Sequence, residues 1–576
     1  MKKRIYLFVI LGFTLLSKDI ILKTCAGVLT EDRNTPHTKQ NTISWTTAFD
    51  NLHEVLSEEY AFTEWKQINW PAIYAEYRPQ IESAESANDT AAFFLVLRGY
   101  IYSIPDGHME CLASSSESWD FMMNLMEEQV GATYGFALIG LDNGKVVTSI
   151  VTDDSPADKA GIRVGAEVLE WNGKPIIQAL KEVPEIWGFN PSATNEVRRL
   201  RQYRFIGMDQ AGKTASITFK NKSEDTSVTA ILTAVHDNLE MFWLTHFFPT
   251  SQDYVERVQY EILESGYGYV KVTSEGFSSP TNIWVKNKFK EAVKYFVTEN
   301  VPAIILDLRK NAGGTDEVIP YLAGFFYNQS AHYEHITYYD KASGDFETVA
   351  TLDIEPQPPY FGGRVVAMVG PGDISSGEGL AMAIQNLPQG QVISFYASNG
   401  SFGMAAGNYA MPCDIDITYT NGQSLDIDGI IQIDGDADGN GGVIPDIRVP
   451  IDNETVYKKF VEGKDVELDF VIETLDQITW VDNAHGATLY HFWLDQNHPN
   501  PFNMSTKIKY HLPEKGEVRI VIYNAIGEKL STLLNKTMEA GNHEIYYDAQ
   551  DLPTGLYIYK IQAGQFQSAK KMLVIK

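Results

Sequence analysis

Two adjacent serines, Ser375 and Ser376, stand where an apolar strand-like run from Arg364 to Val369 breaks at Gly370 and Gly372 and a helix signal, Gly379 to Gln385, begins. A hydroxyl at such a junction lies beside the unpaired N–H groups of a helix start, which can stabilise a developing oxyanion, so a nucleophilic serine belongs there. The run also suits a plain helix cap, because Ser375 is followed three residues later by Glu378 in capping-box spacing. A second run, Ala303 to Gly314, carries Asp307, Arg309 and Asn311 at the end of an apolar stretch and closes on the glycine pair Gly313 and Gly314. A third, Asp434, Asp436 and Asp438 before Gly439, has the alternating carboxylates of a calcium loop. Its twelfth position is Pro445 where such a loop places glutamate, which leaves a solvated acidic turn as the competing reading.

These residues need elements to hold them. From about 238 to 460 strands alternate with helices: Tyr267 to Val272, a helix over Ile283–Val297, Ala303 to Leu308, a helix over Glu317–Phe326, Val365–Val369, then the helix after Ser376. That alternation predicts an α/β core with parallel pairing. Residues 42–115 carry apolar positions at helical spacing, as in Ala48 to Leu56 and Ala91 to Ile101, and predict an N-terminal helical domain. A linker rich in Ser and Glu follows, and then short strands over about 130–237. The last eighty residues, about 495–576, alternate apolar and polar positions at the spacing of a β-sandwich.

With 576 residues and 44% apolar side chains the chain has ample material for three or four packed domains. Forty-six Lys and Arg against 75 Asp and Glu give a formal charge of −29, which opposes any surface that tracks phosphates and argues against a nucleic-acid partner. The three cysteines, Cys25, Cys111 and Cys413, make neither an even disulfide framework nor a zinc spacing, so Cys111 and Cys413 are expected as buried thiols. Met1 to Arg4 and the apolar run Ile5–Leu16 have the pattern of a secretory signal, placed over residues 1–27, and predict export. Lipid attachment at Cys25 is disfavoured by Lys23, and no later stretch is long and apolar enough to span a bilayer.

Three family resemblances rest on these segments. Tyr134 to Gly140, Ser155 to Ile162 and Gly165 to Pro175 together resemble a PDZ domain over residues 130–237, which implies capture of an extended peptide tail as an added strand. Asn500 to Asn503, Ile522 to Glu528 and Gly555 to Lys560 resemble a type IX secretion C-terminal sorting domain. That likeness implies recognition by an outer-membrane secretion machinery and a secreted or cell-surface protein; a carbohydrate-binding sandwich is the competing reading.

Asp307 to Gly314 and the serine run resemble the tail-specific (C-terminal processing) and tricorn-like serine peptidases, whose core is of ClpP/crotonase type. The resemblance implies an oxyanion held by the Gly313 amide, with Gly314 close enough to share the role, and by the Ser376 amide. Counting back from Glu378 selects Ser375 as nucleophile over Ser376. The processing branch uses a lysine base, but the matching position in Ser401-Phe402-Gly403 is Met404, which cannot accept a proton. The tricorn-like branch uses a histidine, and Asp106-Gly107-His108 matches its motif, so His108 becomes the candidate base. The acid that orients the histidine should precede Gly442 to Asp446, where Asp438 lies nearest the matching position, with Asp436 and Asp434 behind it.

The expectation is therefore a secreted serine endopeptidase acting on peptides or unfolded proteins through Ser375, His108 and Asp438, with no metal or organic cofactor. A non-catalytic peptide-binding protein that kept the fold after losing the lysine is the alternative.

Overall fold

A computed structural model describes residues 43–574, apart from 223, 248, 250, 485–492 and scattered single positions and short turns after 494. The signal segment and Cys25 lie outside the described residues. The chain divides into two units, one through Ile472 and one from Glu473.

Every residue of the strand Ala303–Asp307 is buried, as a continuous apolar run should be when its sheet is covered by helices. It is third in a six-stranded sheet ordered Val258–Ile262, Gly268–Val272, Ala303–Asp307, Arg364–Met368, Gly390–Ser394 and Ile447–Arg448. The first pair is antiparallel and the rest are parallel, so the α/β expectation holds for this core. Val285, Phe289 and Phe296 of the helix Thr281–Thr298 share one apolar cluster with Leu380, Ala381 and Ile384 of the helix Ser376–Gln385. The helix expected over Glu317–Phe326 is shorter. A 3-10 turn at Asp316–Val318 leads into a helix of five residues, Ile319–Ala323, with Pro320 in its first turn and Gly324 at its C-cap.

Helices Trp45–Glu59, Trp70–Ala87 and Thr90–Tyr102 form the N-terminal region, each started by a side-chain cap, from Ser44, Asn69 and Asp89. The segment read as a linker is instead a fourth helix, Ser116–Val130. Its Ser- and Glu-rich start is a capping box built on Ser115 and Ser118, and Met122, Leu125, Met126 and Val130 then recur on one buried face. The region is not an independent lobe. Its strand Glu110–Ala113 pairs with Ile415–Tyr419, which pairs with Gly407–Met411, so a three-stranded sheet joins it to the core. Cys111 is buried there, while Cys413 is half-buried.

Between these parts, strands Phe136–Gly140, Val146–Val151, Glu167–Trp171, Thr214–Lys220 and Val228–Thr233 form one antiparallel sheet in that order. Helices Ile176–Lys181 and Asn195–Phe205 contribute Ile176, Leu180 and Leu200 to its core. In the second unit, Trp493–Leu494, Ser505–Leu512 and Gly541–Asp548 form one sheet. Lys529–Met538, Gly516–Asn524, Gly555–Ala563 and Phe566–Val574 form another, and the two share a single core. No helix among the described residues is long and apolar enough to cross a membrane.

Candidate active site

The strand Arg364–Met368 delivers the chain to Ser375, which sits at φ 60° and ψ −136° immediately before the helix Ser376–Gln385. A non-glycine residue in that region costs about 1 to 3 kcal/mol and persists only where its surroundings hold it. Here Ser375 N–H donates to the Ser401 carbonyl at 2.9 Å and to Glu378 Oε2 at 3.2 Å. Glu378 returns its own amide to the Ser375 carbonyl at 2.9 Å, so the capping geometry read from the sequence is present without excluding a nucleophile. Ser376 is 0% exposed and its hydroxyl donates to Glu275 Oε2 at 3.0 Å. Of the two serines, Ser375 is the one left at a half-buried, accessible position.

Gly313 has φ +76°, and a β-carbon built on it lies 2.7 Å from Ser375 Cβ and 3.3 Å from Ser375 Oγ. Only glycine lets the turn approach the serine this closely. Its amide, expected to hold the oxyanion, is engaged: Gly313 N–H donates to Asn311 Oδ1 at 2.8 Å in an Asx turn. The Gly314 and Ser376 amides have no acceptor among the described residues. The turn therefore presents Gly314, the second choice, as the open donor. Asn311 in turn donates through Nδ2 to Glu275 Oε1 at 2.7 Å, so one buried carboxylate braces both the glycine turn and the start of the helix after Ser375.

His108 arrives from the N-terminal region, just ahead of the strand Glu110–Ala113. Gly107 N–H donates to Ser401 Oγ at 2.9 Å, and a β-carbon on Gly107 lies 3.3 Å from Ile374 Cδ1. Ser401 thus accepts from the residue before His108 through its hydroxyl and from Ser375 through its carbonyl. Asp106 is buried, takes His108 N–H at 2.8 Å, and accepts from Tyr60 at 2.9 Å and Thr420 at 2.8 Å. Burial pushes the His108 imidazole below its ordinary value, with Asp106 opposing and Lys66 adding to the fall. Its Nδ1 is buried with no hydrogen-bond partner among the described residues, so none of these supplies an acid that orients the ring.

The three aspartates separate. Asp438 stands exposed on a tight turn: the Asp436 carboxylate accepts Asp438 N–H and Asn440 N–H at 2.9 Å each, and the Asp438 carbonyl accepts from Asn195 at 2.6 Å. Asp434 is 2% exposed, its Oδ2 takes Phe402 N–H at 3.2 Å, and its Oδ1 has no partner among the described residues. Burial pushes Asp434 well up, Lys66 pulls it down, and Asp106 and Glu378 push it further up. The side chain nearest the matching position is thus the one turned to water. The three carboxylates do not converge on a cation-sized site, and no such cluster exists among the described residues. Met404 is buried and bridges to Gly422, as expected of an apolar replacement.

Sequence reasoning did not assign roles to Glu275, Asn311, Glu378 or Ser401. Glu378 entered only as a counting mark, yet it accepts from Ser398 at 2.6 Å, Gly400 at 2.7 Å and Ser401 at 2.9 Å, tying the 398–401 loop to the helix start. Burial nevertheless pushes its carboxyl up to about 7. Asn311 lay inside a quoted motif, whereas Glu275 carried no local signal.

Residues 266–449 match Peptidase family S41, residues 43–98 the tricorn protease C1 domain, and residues 497–576 the secretion system C-terminal sorting domain. No curated protein matches the chain. Among solved structures it is similar to mature CPAF at 14% identity and a TM-score of 0.53, over 77% of this chain and 99% of that one. Two others are the photosystem II D1 C-terminal processing protease (16% identity, TM-score 0.35, 74% and 99% covered) and the tricorn protease (15%, 0.35, 76% and 37%). At 14% identity the likeness to CPAF is one of fold.

Proposed function

Because the chain is a serine peptidase with a family S41 core, and its type IX sorting tail marks it as exported to the cell surface or medium, we propose that it is an endopeptidase working through Ser375 and His108. Ser375 Oγ attacks the peptide carbonyl while His108 takes its proton. The resulting oxyanion is held by the Ser376 and Gly314 amides, and His108 then protonates the leaving amine. Water, deprotonated by the same imidazole, hydrolyses the Ser375 ester. Asp434, and not the exposed Asp438, is the acid that receives His108 Nδ1–H when substrate closes the site. A buried donor without an acceptor and a buried acceptor without a donor, His108 Nδ1 and Asp434 Oδ1, complement each other. Residues 130–237 act as a PDZ-like module, with the end strand Phe136–Gly140 offering an edge to an extended peptide tail. The tail from 497 onward addresses the protein to the outer-membrane secretion machinery.

The observation that carries this reading is Ser401, which links the residue before His108 and the Ser375 amide, far apart in sequence. A fluorophosphonate probe tests it. Wild type and Ser376→Ala are expected to be labelled and Ser375→Ala is not. A folded wild type that takes no label is a peptide-binding protein and overturns the proposal.

A further inference from the structure

Lys66 belongs to no motif. It lies in the turn between the first two helices, 4% exposed, with Nζ 5.3 Å from the centroid of the Phe62 ring. Its ammonium donates to the Gly435 carbonyl at 2.7 Å, and its neighbour Trp65 donates through Nε1 to the Asp434 carbonyl at 3.1 Å. One turn of the N-terminal region thus holds two consecutive carbonyls of the segment that carries Asp434. Phe62 itself abuts Gly403, where an added β-carbon would lie 2.5 Å from Phe62 Cζ. Lys66 therefore enters the core beside the Ser401–Met404 stretch.

Withdrawing an ammonium from water is expensive, and one carbonyl does not offset it. The remaining compensation is anionic. Lys66 acts electrostatically on both Asp434 and His108, and Asp106, Glu378 and Tyr60 are the other titratable groups that interact with Asp434.

We propose that Lys66 is a positioning residue for the peptidase reaction: its buried ammonium pins the 434–435 segment through the Gly435 carbonyl and brings a positive charge to the Asp434 side, so that Asp434 is in place to orient His108. It supplies from the N-terminal helices a positive charge near the loop where Met404 carries none. This inference rests on the catalytic reading of Ser375 and His108.

Without the ammonium, Asp434 and His108 both hold their protons to higher pH, and each unit of such a rise leaves about tenfold less of the active form on the acid side. Lys66→Met is expected to move the acid limb of the kcat/KM profile upward, losing about tenfold at pH 6 and recovering by pH 9. Lys66→Arg is expected to restore most of the wild-type profile. A Lys66→Met profile that is unmoved, or lowered equally at every pH, overturns the role. Asp434→Asn gives a reading that does not depend on whether Lys66→Met folds: full peptidase activity in that variant overturns the role as well. Fluorophosphonate labelling of wild type separates the two levels. An unlabelled wild type overturns the catalytic reading and this inference with it, whereas a labelled wild type with an unmoved Lys66→Met profile overturns Lys66 alone.

Discussion

A serine hydroxyl gives up its proton only to a base that is itself unprotonated, and His108 is held in that form by burial, which lowers its affinity for a proton below the ordinary 6.5. The sign follows directly. Activity should rise with pH through a midpoint below 6.5 and be close to full at neutrality, as kcat/KM measured from pH 4.5 to 8 will report. His108→Ala should lose at least about a hundredfold across that range, with the acid limb abolished. A variant that kept wild-type activity would place the base elsewhere. Ser375 and His108, the proposed pair, stand out in the sequence because each lies in a short local pattern, a serine three residues before Glu378 and an Asp-Gly-His run. The proposed acid has no such signal, since three aspartates at alternate positions look equivalent along the chain. What separates them is burial of Asp434 under Trp65 and Lys66, partners 369 residues away in sequence for both carbonyl contacts.

The central strand Ala303–Asp307 ends in a charge cluster that fastens the elements around the glycine turn. Arg309 pairs with Asp307 at 2.6 Å and with Asp465 at 2.7 Å, and reaches Glu467 at 3.3 Å at the start of the helix Val466–Ala484. Burial pushes Asp307 up, but the Arg309 guanidinium and its hydrogen bonds outweigh that and hold the carboxyl below its usual range. Asp307 and Arg309, quoted first as part of a catalytic-looking motif, are therefore structural supports, while Asn311 shapes the turn itself. Removing the guanidinium strips the buried Asp307 and Glu467 carboxylates of their shared cation, so Arg309→Met should cost about 3 to 5 kcal/mol in chemical denaturation. Losses within a few tenths of zero would show that the cluster is not bearing on the fold. The parallel strands were readable as apolar runs. The helix Ser116–Val130 was misread because its capping residues have the composition of a loop, although Ser115 and the later Met and Leu spacing were the available signal. The sheet that joins Glu110–Ala113 to Ile415–Tyr419 left no trace in sequence, being a pairing of strands 302 to 308 positions apart.

Several carboxyl groups are buried across the peptidase unit. Burial pushes up Glu275, Asp373, Glu334 and Asp434, and takes Asp316 and Glu378 to about 7. Both Asp373 oxygens and Glu334 Oε1 are buried without a partner among the described residues, the arrangement of acids that stay protonated in the fold. Groups whose folded value lies above their unfolded value near 4 keep protons that the unfolded chain has released, so stability falls as pH rises from about 4.5 through 7. The formal charge of −29 acts in the same direction, because self-repulsion grows as the remaining acids ionise. Asp307 and Asp465 work oppositely: both are held low by Arg309, burial notwithstanding, and their contribution is lost only as pH falls below about 4. The peptidase unit should therefore be most stable in mild acid. In Ser375→Ala, which cannot digest itself, Tm should rise by several degrees from pH 8 to pH 6 and drop again below about pH 4. A Tm that is flat or increasing between pH 6 and 8 would mean that these carboxyls are ionised and satisfied in the fold. The advantage His108 gains from staying neutral in mild acid would then have no counterpart in the protein that carries it.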